Sequence, residues 1–292
     1  MTPWPVLLIN DYIEHGASNM NVLEPILRAL GYPVSGLLTA VMSHSFEYGD
    51  YDYFPLTEHL RRTLPLWEKQ GFTFAAVATG FIDSLGSLEQ FALLRGALPK
   101  WRAQGSFILV DPVMGDNGAL YPTLPRELVT EMRTLLPVAD IITPNWTEAA
   151  LLLGEDPACE QDVAPQWLER LCTLGTRACV ITGAGNPDAN VGTIYYRSAD
   201  GHAGAVDFAR LAPNFSGSGD YFNAVLLAAL LRGESLAQAV KTAARFIEFA
   251  LRETQAQKSN AGNGLVLRGA LQATVKKMDG RRMRANKKRL PR

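Results

Sequence analysis

Short runs of β-branched and aliphatic residues recur along the chain and alternate with longer stretches in which apolar positions return every three or four residues. The first pattern predicts strands over 6–9, 34–38, 74–78, 107–110, 140–142 and 178–181. The second predicts helices near 20–30, 56–69, 87–103, 125–136, 147–153 and 163–174. Two further strands, 192–196 and 204–208, follow without an intervening helix, and the last third reads as helices over 220–231, 235–253 and 265–275. Regular strand–helix alternation connects parallel strands through crossover helices and covers both faces of the sheet. The expected fold is therefore α/β, a three-layer α/β/α arrangement around a doubly wound, mostly parallel sheet. No internal repeat or low-complexity linker divides the pattern, so residues 1–275 are expected to form one domain.

Composition changes this picture little. With 292 residues, 47% of them hydrophobic and 20% charged, the chain is globular in type, and disordered or fibrous classes are excluded. The apolar run 224–231 is far too short to span a bilayer, and the N-terminus has no basic segment followed by a cleavage site, so a cytoplasmic protein is expected. Three cysteines, Cys159, Cys172 and Cys179, with no C-x-x-C spacing, point to free thiols instead of a disulfide framework or a zinc site. The net charge of −1 hides an asymmetry. Residues 276–292 carry nine Lys or Arg against Asp279, a charge near +8, which leaves the body near −9. That tail has neither interleaved aromatic residues nor a periodic apolar face, so it is expected to be a solvated, unstructured extension, with no specific nucleic acid or membrane as partner.

Chemistry concentrates where the strands end. In open α/β sheets ligands bind beyond the carboxyl ends of the strands, and there the chain carries Asn10-Asp11, Thr39, Thr79-Gly80, Asp111, Thr143-Pro-Asn145 and Thr182-Gly183. Asp111 opens Asp-Pro-Val-Met-Gly-Asp-Asn-Gly, a carboxylate followed by a glycine-bearing loop with an Asn-Gly turn signal. Asn145 and Glu148 have the spacing of a capping box, yet a Glu in the first turn of a helix at this edge is also placed to hold a water of hydrated Mg2+. In Ser216-Gly-Ser-Gly-Asp220, Ser216 or Ser218 can cap the following buried helix and Asp220 complements its dipole. The two glycines also expose backbone N–H groups at the positive end of that helix, an anion hole for a phosphoryl group beside a carboxylate base.

Taken together, Asp111-Pro-Val-Met-Gly-Asp-Asn-Gly, Ile141-Ile-Thr-Pro-Asn-Trp-Thr-Glu-Ala, Val180-Ile-Thr-Gly and Ser216-Gly-Ser-Gly-Asp220 resemble, in order, the motifs of the ribokinase-like superfamily and more closely its pyridoxal/pyridoxamine (vitamin B6) kinase branch. The resemblance spans roughly residues 6–250. It implies phosphorylation of the 5′-hydroxymethyl group of a B6 vitamer with ATP, Mg2+ and a monovalent cation such as K+, in a homodimeric enzyme. Asp220 then corresponds to the catalytic base, and Gly217, Ser218 and Gly219 to the anion hole. Asp111 and Glu148 would organise metal and phosphates, with Thr143, Asn145, Thr182 and Gly183 on the nucleotide side. On the acceptor side the resemblance points to Asn10, Thr39, His44, Phe46, Glu47 and Phe81, with Asp116 to Tyr121 as a lid.

The acceptor segments depart from the family pattern. Glu14 stands where a small residue is usual, the second-strand segment reads Ser43-His-Ser-Phe46, and the loop Thr79-Gly-Phe-Ile-Asp-Ser-Leu-Gly-Ser87 carries extra residues. Two alternatives follow: a related kinase acting on hydroxymethylpyrimidine or another small alcohol, and a non-catalytic B6- or nucleotide-binding protein.

Overall fold

A computed structural model describes residues 4–44, 48–159, 163–184, 190–209, 217–258 and 264–289. In chain order the elements are β1 (Val6–His15), α1 (Met20–Ala29), β2 (Val34–His44), β3 (Tyr53–Pro55), α2 (Thr57–Gln70), β4 (Ala76–Thr79), α3 (Glu89–Ala103) and β5 (Phe107–Val110). A two-stranded hairpin follows, β6 (Gly115–Asp116) and β7 (Ala119–Leu120), then α4 (Leu128–Arg133), β8 (Ile141–Ile142), α5 (Trp146–Leu153), α6 (Ala164–Thr173) and β9 (Cys179–Ala184). The chain closes with β10 (Val191–Arg197), β11 (Ala203–Ala209), α7 (Ser218–Leu231), α8 (Leu236–Ala256) and α9 (Arg268–Arg289).

Among the described residues the main sheet has nine strands in the order β11-β10-β9-β8-β5-β4-β1-β2-β3. The six strands from β9 to β2 are parallel, while β10, β11 and β3 pair antiparallel at the two edges. Strand β1 shows how alternation builds three layers. Val6 and Leu8 join the core under α1, α7 and α8, whereas Leu7 and Ile9 face the opposite core with residues of α2 to α6. The fold expected from the sequence is the fold observed.

Four differences matter. Strands β1 and β2 run well past the predicted ends at residues 9 and 38, staying paired from Tyr12↔Val41 to His15↔His44 after a register shift between Asn10 and Tyr12. Such a bulge re-aims side chains without ending the strand, so the polar Asn10-Asp11 pair marks a turn of the surface and not the end of pairing. Strand β3, which pairs with β2 through Ala40↔Pro55, Val41↔Phe54 and Met42↔Tyr53, carries no apolar run to announce it. The predicted helix 125–136 is confined to α4 with a short 3-10 turn at Leu136–Val138. Finally, α9 carries the basic segment as helix to Arg289, where an unstructured tail was expected. Its first half is anchored: Thr274 and Met278 are buried one turn apart, and Lys277 donates to Thr242 Oγ1 at 3.2 Å. No described helix is long and apolar enough to cross a membrane.

Candidate active site

The strand ends converge as the topology demands. Backbone bonds Gly80 N–H to Ile9 O (2.9 Å), Asp111 N–H to Thr79 O (3.1 Å), Thr143 N–H to Val110 O (3.2 Å) and Thr182 N–H to Pro144 O (2.9 Å) set the polar residues at the ends of β4, β5 and β8 beside those within β1 and β9 along one edge. Over that edge sits the N-terminus of α7. Gly217 is its N-cap residue with φ 80°, and among the described residues no side chain caps the helix. This corrects the expectation that Ser218 serves as cap, since Ser218 is the first helical residue; Ser216 lies outside the described residues. An uncapped N-terminus presents its N–H groups and the positive end of the dipole to whatever lies in front.

Only glycine fits at position 217. A Cβ there would sit 2.6 Å from Ala17 O and 3.0 Å from Ser18 Cα, so the loop between β1 and α1 is locked against the start of α7. Across that contact the backbone N–H of Asn19 donates to Asp220 Oδ2 at 2.7 Å. Asp220 is 7% exposed. Burial pushes its carboxyl up to about 6, against the pull of the Asn19 N–H and the Asn10 amide, so it is ionised at neutral pH yet basic enough to accept a proton.

Asp111 faces the same helix. Its Oδ2 accepts from Asn223 Nδ2 at 2.8 Å, and a Cβ on Gly219 would lie 4.0 Å from the same oxygen. Burial, then the charges of Glu148 and Asp220, hold the Asp111 carboxyl well above the usual carboxylate range. Glu148 is the hub of a local network. Its Oε2 accepts from Asn145 N–H (2.8 Å), Asn145 Oδ1 accepts in return from Glu148 N–H (2.9 Å), and Glu148 Oε1 accepts from Met114 N–H (3.0 Å). The capping box expected from the sequence is thus present, and the same carboxylate also reaches the segment after Asp111. Burial raises the Glu148 carboxyl while these backbone N–H groups oppose the rise.

The segment expected as a lid is the β6–β7 hairpin, turned by Asn117 and Gly118 with φ 52° and 85°. It is tied to α5 by Asn145 Nδ2 to Gly115 O (2.8 Å) and Gly118 N–H to Thr147 Oγ1 (2.9 Å). The Tyr121 phenol, raised by burial and then by Glu148, Asp116, Asp111 and Asp220, belongs to the same acidic cluster. Asp116 itself is exposed and accepts from Asn117 N–H at 2.8 Å. Of the residues expected on the nucleotide side, Thr182 bridges Asn145 in the parallel sense, and Gly183 takes φ 71°.

Several residues expected on the acceptor side, Asn10, Thr39 and Phe81, form a second network. Asn10 Oδ1 accepts from Phe81 N–H (2.8 Å), and Gly80 permits this, because a Cβ there would lie 2.4 Å from the Asn10 side chain. Thr39 Oγ1 donates to Phe81 O (2.8 Å), and Gln90 Nε2 donates to Thr39 O (2.8 Å) and Thr57 Oγ1 (3.1 Å). Asp83, 1% exposed, accepts from the Tyr53 hydroxyl, from Thr57 Oγ1 (3.2 Å) and from Leu85 N–H (3.1 Å). His44 stands apart from this network, bonded to Ser43 Oγ at 2.9 Å and edge-on to Tyr48 on the strand extension. Phe46 and Glu47 lie outside the described residues. Sequence reasoning passed over Asp11, Asn19, Tyr53, Asp83, Gln90 and Asn223 as site residues. Asn223 had a readable signal in its place three residues after Asp220 on one helix face, and Asp11 in its place at a predicted strand end.

Mg2+ takes oxygen ligands, few of them from the protein. Among the described residues no cluster of three or more His, Cys, Asp or Glu forms a cage. Asp111, Glu148 and the buried, unpartnered hydroxyls of Thr79 and Thr143 supply an oxygen-only set in which the charges of Glu148 and Asp220 raise the Asp111 carboxyl, an environment that a hard cation relieves. The residues therefore fit a cation held jointly with phosphate oxygens.

Residues 69–266 match the family model for phosphomethylpyrimidine kinase. The chain is 31% identical over 260 residues to the pyridoxine/pyridoxal/pyridoxamine kinase of Bordetella avium, covering 84% of each protein. A hydroxymethylpyrimidine/phosphomethylpyrimidine kinase of Haemophilus influenzae is 36% identical over 149 residues, 49% of this chain and 54% of the relative. The crystal structure of pyridoxal kinase from Lactobacillus plantarum superposes with a TM-score of 0.82 at 29% identity, covering 94% of this chain and 97% of that one. Fold and site thus define a ribokinase-like phosphotransferase acting on a hydroxyl group. The chain belongs to the phosphomethylpyrimidine kinase family.

Proposed function

We propose that the protein transfers the γ-phosphoryl group of ATP to the 5′-hydroxymethyl group of pyridoxal, pyridoxamine or pyridoxine. The observation that carries this reading is Asp220, a buried carboxylate in the first turn of an uncapped helix aimed over the strand ends. The acceptor oxygen attacks the γ-phosphorus, its bond to phosphorus forms as the bond to the β–γ bridging oxygen breaks, ADP departs, and the hydroxyl proton passes to Asp220. Phosphoryl transfer asks for positioning and charge stabilisation, and the N–H groups at Gly217, Ser218 and Gly219 supply both to the moving phosphoryl oxygens. Thr143, Asn145, Thr182 and Gly183 form the nucleotide edge. Mg2+ at Asp111 and Glu148 would offset phosphate charge during transfer.

A hydroxymethylpyrimidine is the second acceptor to consider, favoured by the family match and by a buried Asp83 in the loop that departs most from the B6 kinase pattern. One experiment separates the two. Phosphate transfer from ATP is measured with pyridoxal, pyridoxamine, pyridoxine and hydroxymethylpyrimidine as acceptors. The expected result is transfer to at least one B6 alcohol with kcat/KM at least tenfold above hydroxymethylpyrimidine. Preference for the pyrimidine sinks the B6 reading, and transfer to none of the four sinks both.

A further inference from the structure

Asn19 takes φ 59° and ψ −136°, a combination well outside the left-handed helical well and adopted readily only by glycine. It precedes α1 as the N-cap residue, where an Asn ordinarily accepts a hydrogen bond from the helix with its side chain. Here no such bond exists. The capping explanation therefore does not account for the residue or its backbone.

What the conformation does accomplish is visible on both sides of the residue. The backbone N–H reaches across to α7 and donates to Asp220 Oδ2 at 2.7 Å, although the two residues are 201 positions apart. The Asn19 side chain opposes the rise that burial imposes on the Asp11 carboxyl. The preceding Ala17 and Ser18 are pressed against Gly217, so the loop cannot relax without moving the start of α7. Strained backbone of this kind persists where the surroundings over-determine it, and it gathers at functional sites.

We propose that Asn19 is a positioning residue for phosphoryl transfer: its strained backbone holds one oxygen of Asp220 through the amide N–H, leaving the other to receive the acceptor proton. The proposal rests on the kinase reading above and deepens it. Ala17–Asn19 then belong functionally to the base, though they come from the other end of the chain.

Two substitutions at one position test it. Asn19→Gly keeps the N–H and accepts the backbone angles, whereas Asn19→Ala adds strain that rotates the N–H away. The expected kcat of N19A is roughly ten- to a hundredfold below wild type, with the KM for ATP changed less than about twofold, and N19G is expected within about threefold of wild type. If N19A fails to fold, replacing the Ser18–Asn19 amide by an ester deletes the N–H alone, and the same drop in kcat is expected. Equal kcat in the wild type and in N19A or the ester overturns the proposal, as does an N19G protein as slow as N19A. A wild-type protein that transfers phosphate to no acceptor overturns the kinase reading, and this proposal with it; a wild-type protein that is active while N19A is unimpaired removes the positioning role alone.

Discussion

The two halves of the site are built in different ways. The half proposed for phosphoryl transfer consists of strand ends and helix N-termini: Asp111 after β5, Thr143 and Asn145 after β8, Thr182 within β9, and Gly217 to Asp220 opening α7. Its chemistry would come from backbone N–H groups and from carboxylates just past a strand, as Asp111, or in the first turn of a helix, as Glu148 and Asp220. The acceptor half is a web of side chains drawn from β2, β3, α2, α3 and the loop after β4, joined through Asp83, Thr57, Gln90 and Thr39. A backbone-built site tolerates little change in short motifs, whereas a side-chain web can exchange its members as long as the polar groups stay satisfied. That difference predicts that damage to the first half stops chemistry and damage to the second shifts substrate choice.

The strongest test of the first half is Asp220→Asn. The amide cannot take the acceptor proton, so turnover is expected to fall by about 10²- to 10⁴-fold with the KM for ATP nearly unchanged. Turnover near that of the wild type would remove Asp220 from the base role. Gly217→Ala comes next. It combines a left-handed φ of 80° with a Cβ placed 2.6 Å from Ala17 O, so the loop and the helix start must separate. Strain of roughly 1–3 kcal/mol is expected as a lower melting temperature, together with at least about a tenfold loss of kcat. A variant with normal melting and normal kcat would show that the locked contact between the β1–α1 loop and α7 is dispensable.

Legibility in the sequence followed the same division. The α/β class, the parallel core of the sheet and the edge positions Asp111, Asn145, Glu148 and Asp220 could be read because each follows a local rule: an apolar run, a strand end, a capping spacing, a glycine pair before a buried helix. The acceptor web could not. Tyr53 lies on a three-residue strand with no apolar run, and Asp83 and Gln90 meet only after the loop beyond β4 folds over α2. Asn19 is legible from neither spacing nor composition, because its importance lies in a backbone angle and in a partner at the far end of the chain. Asp11 read as a polar strand end, and the register shift beside it left it buried within a continuing strand.

Tyr53→Phe and Asp83→Asn address the acceptor half. Tyr53 belongs to the edge strand and is joined to Asp83 by its hydroxyl, so either change loosens β3 from the Phe81 loop without touching the helix start. The expected outcome is a rise of roughly 3- to 30-fold in acceptor KM, with the KM for ATP within about twofold and kcat less affected. Steady-state kinetics on both substrates checks it. A fall in kcat as large as that of D220N, with acceptor KM unchanged, would erase the division between the halves.

The smallest expected effect is thermodynamic and concerns Asp11, which lies where the halves meet. Its side chain is 1% exposed, and burial, followed by the charge of Asp220, pushes its carboxyl up to about 8, with the Asn19 side chain opposing the rise. Because the folded-state value lies above that of an unfolded chain, the native protein holds more protons than the unfolded chain between about pH 4 and pH 8. The stabilisation from the protonated acid is thus fully present below about pH 4 and is lost as pH rises through about 8. Asp11→Asn removes the titration while keeping the shape. At pH 8 the variant is expected to melt higher than the wild type by about 2 °C or more, and the gap should close as the pH is lowered towards 4. Melting curves across that range decide the matter. A gap that widens on acidification would mean that Asp11 is held as a carboxylate, and so that its neighbours favour negative charge at the junction where Asp220 must also remain ionised.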